Sequence, residues 1–235
     1  LMSAAYFGYP AEKLKIVGIT GTKGKTTTTY MIKSILEETG HKVGLIGTIE
    51  AIIGEKKIPA ANTTPESYTI HQYFAEMVKE GCDCVVMEVS SQGLMLHRTA
   101  GIPFEIGIFT NLGRRSYRSR MNIKILKISK RCKGLLFKQC RLGIANVDDK
   151  YFEDVFSGAT CKVETFGFSE KADLRAENVQ LVSRPGYLGV AYHVAGVMDF
   201  DVEIDIPGTF SVYNSLTAIS VCRHFEVPAE LIKDA

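Results

Sequence analysis

The chain has 235 residues, 46% of them hydrophobic and 23% charged, which is enough apolar length to bury a substantial core and excludes a disordered tail. Its formal net charge of +2 is unevenly spread: residues 114–133 hold nine of the 28 Lys and Arg and no acid, so the remainder is net acidic. Six cysteines without histidines at ligand spacing argue against a disulfide scaffold or zinc framework and for reduced thiols in the cytoplasm; there is also no apolar run of about 18 residues and no signal-like opening.

The first predicted element is the strand "LKIVGIT" (14–20), a near-continuous apolar run of the kind buried on both faces of a parallel sheet. A helix follows from about Lys25, with Met31, Ile32, Ile35 and Leu36 at helical spacing, and stops near Gly40. "KVGLIGTIEAIIGEKKIP" reads as a strand and then a hairpin turning around Gly54. "PESYTIHQYFAEMVKEG" reads as a helix with Pro65 in its first turn and Gly81 after its end. "CVVMEV", "FEIGIFT" and "RLGIANVD" are further buried strands, and the alternation in "CDC" places Cys82 and Cys84 on one face. Beyond about residue 160 the stretches "KVETFGF", "DLRAENVQLV", "YLGVAYHV" and "MDFDVEIDIP" alternate between turn residues and predict antiparallel strands, before a helix from about Ser211 to His224. The order predicts an α/β fold: a mostly parallel, doubly wound sheet with a phosphate loop and a small antiparallel portion near the C-terminal end.

The sharpest local signal is "GITGTKGKTTTT" between the first strand and helix. Gly21, Thr22, Lys23, Gly24, Lys25, Thr26 and Thr27 form a glycine-rich turn at a helix start. There backbone N–H groups and the helix dipole receive an anion, Lys25 adds a point charge and Thr26 offers a Mg²⁺ ligand. The general phosphate-loop pattern wants glycine five residues before Gly24, where this chain has Ile19.

That departure matters, because "GTKGKTT" after "VGIT" resembles the central domain of the Mur ligases. "NTTPE" (62–66), "MEVSSQGL" (87–94), "HR" (97–98), "TNL" (110–112), "CKGLLF" (132–137), "NVDD" (146–149) and "PGTFSVYNSLTAI" (207–219) agree in order and spacing, most closely with the tripeptide synthetases of that family. The resemblance implies an ATP- and Mg²⁺-dependent ligase that adds lysine or diaminopimelate to UDP-N-acetylmuramoyl-L-alanyl-D-glutamate through an acyl phosphate. It implies that Gly21–Thr27 hold the ATP phosphates, Asn214 lies near the adenine, and Thr26, Glu88 and a carbamylated Lys133 hold metal, with Lys25, Glu88 and Lys133 in the catalytic set. Asn62, Thr63, Thr64, Ser90 and Arg98 match the positions that take the muramoyl-dipeptide. Residues 14–227 would be the ATP-binding domain, 1–13 the tail of an interdomain connection and 228–235 the truncated end of the domain. The family's N-terminal UDP-binding and C-terminal ligase domains are not represented, so the chain alone is expected to be inactive.

The family follows "TNL" with two residues and then Asp-His, where this chain has Arg115 and Ser116. Codons able to encode residues 115–117 (AGA-TCA-TAT) read Asp-His when shifted by one base. Codons able to encode 121–129 read Glu-His-Lys-Asn-Phe-Glu-Asp-Phe when shifted by two, an acidic and aromatic helix start. Residues 114–130 are therefore expected to be a frameshifted stretch, and its charge no binding signal. Two alternatives stay open: a folylpolyglutamate synthetase-like ligase, which fits "MEVSSQGL" and "NTTPE" less well, and a basic phosphate-loop module that binds nucleic acid. Against the second, the bases lack interleaved aromatic platforms beyond Tyr117. No specific nucleic acid and no membrane partner are expected.

Overall fold

The computed structural model describes residues 2–113 and 120–234, the side chains of 120–123 and 234 excepted. The stretch 114–119, which includes Arg115 and Ser116, lies outside the described residues. In chain order the elements are α1 (Met2–Tyr6), a 3-10 turn (Pro10–Lys13), β1 (Lys15–Thr20), α2 (Lys25–Glu38), β2 (Val43–Ile46), β3 (Glu50–Ile53) and β4 (Lys56–Pro59). There follow α3 (Ser67–Lys79), β5 (Cys84–Glu88), α4 (Ser91–Met95), β6 (Phe104–Phe109), α5 (Arg120–Gly134), β7 (Cys140–Asn146), α6 (Phe152–Phe156) and β8 (Lys162–Gly167). The last are β9 (Leu174–Arg184), β10 (Tyr187–Gly196), β11 (Phe200–Ile204), α7 (Thr209–His224) and α8 (Ala229–Asp234).

All these strands join one sheet in the order β11-β10-β9-β8-β7-β6-β1-β5-β2-β3-β4. From β2 through β9 the pairings are parallel, and both flanks are antiparallel. The edge strand β4 carries Lys56, Lys57 and Pro59, residues that discourage pairing with another sheet. Alternate side chains of β1 feed two cores. Val17 and Ile19 pack with Ile32 and Leu36 of α2 and with Leu216 and Ile219 of α7. Ile16 packs with Ile70, Phe74 and Met77 of α3 and with Val85 and Met87 of β5. Each such fully buried large side chain contributes about 1.5–3 kcal/mol relative to exposure.

Helix α2 begins at Lys25 as the pattern predicts, and Met31 is only partly buried against the core. Its end is a paired-bond cap: Gly40 N–H donates to Glu37 C=O at 3.0 Å and His41 N–H to Leu36 C=O at 3.1 Å. Gly40 sits at φ 88°, a conformation that needs glycine.

Three expectations need correction. Pro65 precedes the α3 cap residue Glu66 and so is not in the first turn, because the residue before a helix also favours proline's extended backbone. Strand β8 is parallel to both β7 and the start of β9, since the connection 147–161 contains α6 and returns the chain in the same direction. Cys82 and Cys84 do not share a face: Cys82 lies in the turn before β5, where its N–H caps α3 through Met77 C=O, and the two side chains enter opposite cores. All six cysteines are free thiols. Among the described residues no helix is long and apolar enough to cross a membrane.

Candidate functional site

The site forms where β1, β5 and β2, adjacent in the sheet, end at the same edge. The turn after β1 is held by the segment after β6. Thr22 N–H donates to Asn111 C=O at 2.9 Å and Lys23 N–H to Asn111 Oδ1 at 3.0 Å; Asn111 Nδ2 and Thr110 Oγ1 donate to Lys23 C=O at 3.0 and 2.9 Å. A Cβ at Gly21 would lie 2.0 Å from Thr110 Oγ1, so the two strand ends approach as closely as backbone allows. Gly24 takes φ 84° and caps α2. The first intrahelical bond there is Thr28 N–H to Gly24 C=O at 2.9 Å, which leaves the N–H groups of Lys25, Thr26 and Thr27 without helical partners and oriented for an anion.

Lys25 Nζ folds back onto Gly21 C=O at 3.1 Å. Burial lowers its pKa, and the negative charge of Glu88 opposes that shift. Glu88, at the end of β5, is 1% exposed. Its Oε1 accepts from Thr26 Oγ1 and from Thr48 N–H, both at 2.9 Å, and its Oε2 accepts from Thr48 Oγ1 at 2.9 Å. A hydroxyl and a carboxylate beside free amides are hard oxygen donors that suit Mg²⁺, which takes few protein ligands and completes its shell with phosphate and water. Thr26 and Glu88 therefore form a donor set that fits that ion.

The 62–66 loop leans on the same strand end. Thr64 Oγ1 donates to Glu88 C=O at 3.0 Å and accepts from Ser90 N–H at 2.9 Å, while Ser90 Oγ caps α4 by accepting from Gly93 N–H at 3.0 Å. Arg98 donates through Nη1 to Thr64 C=O at 2.9 Å and pairs through Nη2 with Glu66. Its Nε is buried without a partner among the described residues, an unmet donor of the kind an anionic substrate satisfies. Thr63 Oγ1 lies 3.1 Å from Thr48 Oγ1, whereas Asn62 is exposed and lines a separate small cavity with Pro65 and Glu66.

Asn214 of α7 stands over the loop, accepting from Thr28 Oγ1 at 3.3 Å, with its Oδ1 2.4 Å from where a Cβ of Gly24 would be. It borders a cavity of about 340 Å³ between α7, Lys23, Asn111, Asp148 and Asp149. Tyr213 donates to Asp148 at 2.9 Å, and Asp149 accepts from Leu112 N–H at 2.7 Å. A larger cavity of about 730 Å³, bordered by Lys42, Val43 and Glu80, lies at the opposite strand ends and has no part in this arrangement. Nor does the group His41, Asp83 and Cys84 at that end: Asp83 already accepts from His41 and from Lys42 N–H, and burial keeps the Cys84 thiol protonated.

Lys133, on the last turn of α5, is 3% exposed, and its pKa falls to about 7. The causes are burial first and then the positive charge of Lys25, which lies far away in the chain. Thr48, Thr110, Asn111 and Asp149 join the site without having been assigned a role from sequence. The signal for Thr48 was its place just after a parallel strand, the position where α/β sheets gather ligand contacts.

Residues 19–222 match the family model described as Mur ligase middle domain. A 2,6-diaminopimelate ligase of UDP-N-acetylmuramoyl-L-alanyl-D-glutamate from Clostridium acetobutylicum is 45% identical over 234 residues, covering 100% of this chain and 47% of the relative. The enzyme of the same name from Clostridium botulinum is 40% identical over 242 residues, covering 100% of this chain and 47% of the relative. The chain thus spans about half the length of the curated relatives it matches. Among solved structures, a 2,6-diaminopimelate ligase superposes with TM-score 0.85 at 21% identity, over 99% of this chain and 49% of that one. The folylpolyglutamate synthase of Mycobacterium tuberculosis superposes with TM-score 0.75 at 13% identity, over 98% of this chain and 60% of that one. Both likenesses speak to the fold.

Proposed function

Since the chain belongs to the Mur ligase middle-domain family, we propose that it is the nucleotide-binding part of a cytoplasmic ATP-dependent ligase of peptidoglycan precursor synthesis. The ligase joins a diamino acid to UDP-N-acetylmuramoyl-L-alanyl-D-glutamate. The names of the relatives favour 2,6-diaminopimelate over lysine as that amino acid. The reading rests above all on one observation: the loop hydroxyl of Thr26 meets a buried carboxylate, Glu88, while Lys133 is buried close enough to feel the Lys25 charge. Residues 14–227 are the domain that does this work. The folylpolyglutamate alternative shares the fold, but the relatives at 40–45% identity support the muramoyl substrate.

In the proposed reaction a substrate carboxylate oxygen attacks the γ-phosphorus of ATP, the bond to the bridging oxygen breaks, and ADP leaves. The amine nitrogen then attacks the acyl carbon and displaces phosphate, losing its proton. Here the free amides of Lys25–Thr27 and the Lys25 ammonium hold the phosphates, and Asn214 borders the cavity that takes the adenine. Thr64, Ser90 and Arg98, with Thr63 and the exposed Asn62, bind the muramoyl-dipeptide. Thr26 and Glu88 would hold one Mg²⁺ and a carbamylated Lys133 a second, and the ions would neutralise phosphate charge.

Titrating the chain with ADP or ATP in the presence of Mg²⁺ tests the reading. Nucleotide at about 100 times Kd should stabilise the fold by roughly 2.7 kcal/mol, and Lys25→Ala should remove the effect. A melting temperature indifferent to millimolar nucleotide and Mg²⁺ contradicts it.

A further inference from the structure

We propose that Thr48 is the positioning residue for Glu88, and that through it the 62–66 loop is coupled to the metal-holding carboxylate by an oriented chain of hydroxyls. The proposal rests on the reading of Glu88 as a Mg²⁺ ligand. Thr48 lies in the turn after β2. Among the described residues it alone hydrogen-bonds both oxygens of Glu88, by its N–H to Oε1 and its hydroxyl to Oε2, each at 2.9 Å. The turn is shaped to the carboxylate, since a Cβ at Gly47 would come 2.9 Å from Glu88 Oε1. Glu88 is 1% exposed, so water does not replace a lost donor.

The direction of the chain follows from proton count. A threonine hydroxyl has one hydrogen. That of Thr48 is committed to Glu88 Oε2, so toward Thr63 Oγ1, 3.1 Å away, Thr48 can only accept. Thr63 therefore donates to Thr48 and Thr48 to Glu88. Pinning Oε2 fixes the carboxylate plane and keeps Oε1 beside Thr26 Oγ1, where the ion would be shared. A ligand that turns the Thr63 hydroxyl away would loosen that plane, so occupancy of the 62–66 loop and metal affinity are linked.

The test uses the 235-residue chain and the Mg²⁺ dependence of fluorescent ADP binding, with Mn²⁺ binding followed by electron paramagnetic resonance as a second readout. Thr48→Val should raise the Mg²⁺ half-saturation about ten-fold, the low end of what a hydrogen bond to a charged group is worth, without changing ADP binding in the absence of metal. Thr48→Ser should restore it to within about two-fold. Thr63→Val should weaken metal binding in the parent chain and add nothing in the Thr48→Val background, the signature of residues acting in series. If Thr48→Val does not fold, Thr48→Ser and Thr63→Val carry the test. An unchanged or lower half-saturation in Thr48→Val, a Thr48→Ser variant no better than Thr48→Val, or a Thr63→Val with parental metal binding each overturns the proposal. A parent chain that binds ADP indifferently to Mg²⁺ removes the underlying reading, and the proposal with it.

Discussion

Replacing Gly24 by alanine should cost more than its backbone conformation alone explains. At φ 84° an L side chain pays the left-handed penalty of about 1–2 kcal/mol. The added methyl would also stand 2.4 Å from Asn214 Oδ1, a distance that forces the amide to move. Moving it breaks the 3.3 Å bond from Thr28 Oγ1, worth about 1 kcal/mol. The sum is roughly 2–3 kcal/mol, or a melting temperature lower by roughly 4–12 °C for a chain of this size. Gly40 is the control: φ is 88°, nothing lies within 4 Å of its added Cβ, and Gly40→Ala should pay the conformational part alone. The decisive assay is a double-mutant cycle by thermal or urea unfolding. In an Asn214→Ala background the obstruction is gone, so Gly24→Ala should cost only as much as Gly40→Ala, a coupling of about 1 kcal/mol. Additivity within about 0.3 kcal/mol, or equal losses for Gly24→Ala and Gly40→Ala, would refute the packing argument.

Lys133→Met in CO₂-free buffer should be more stable than the parent by a margin that depends on pH. Below about 7 both folded and unfolded chains are protonated and the fold bears a buried ammonium; between about 7 and 10.5 the unfolded chain holds the extra proton, so the parent gains stability as pH rises and the margin shrinks. A margin constant from about pH 6 to 10 defeats this account. Ser90→Ala, which removes the α4 cap and a partner of Thr64, should cost about 1 kcal/mol by chemical denaturation, and an unaffected midpoint would show the cap idle. Any nucleic-acid binding by the basic stretch should be weak, sequence-independent and lost near physiological salt; nanomolar specific binding there would restore the binding-module reading. Ile125 and Ile128 are about half exposed on α5, an unusual place for isoleucine. A gene read that shifts frame within residues 114–130 would account for them, and one that encodes Arg115 and Ser116 without interruption would end the frameshift explanation.

Local physics was legible without coordinates wherever one segment suffices to express it. Gly24 opening α2, Gly40 closing it and the apolar run of β1 each follow from backbone sterics or periodicity within a few residues, and the phosphate loop is a local object of the same kind. What only the tertiary structure decided involves partners distant in the chain. The parallel direction of β8 depends on α6 and on the ladder to β7, not on alternation within β8, and the separation of Cys82 from Cys84 depends on where β5 begins. Thr48, Thr63 and Glu88 come together because β5 inserts between β1 and β2, an order that long-range hydrogen bonding sets and no periodicity records. By sequence Lys133 stands at the end of a run of bases. In the fold its charge is opposed by burial and by Lys25, a residue distant in the chain, because desolvation in a low-dielectric interior disfavours the charged form and a second cation adds to it.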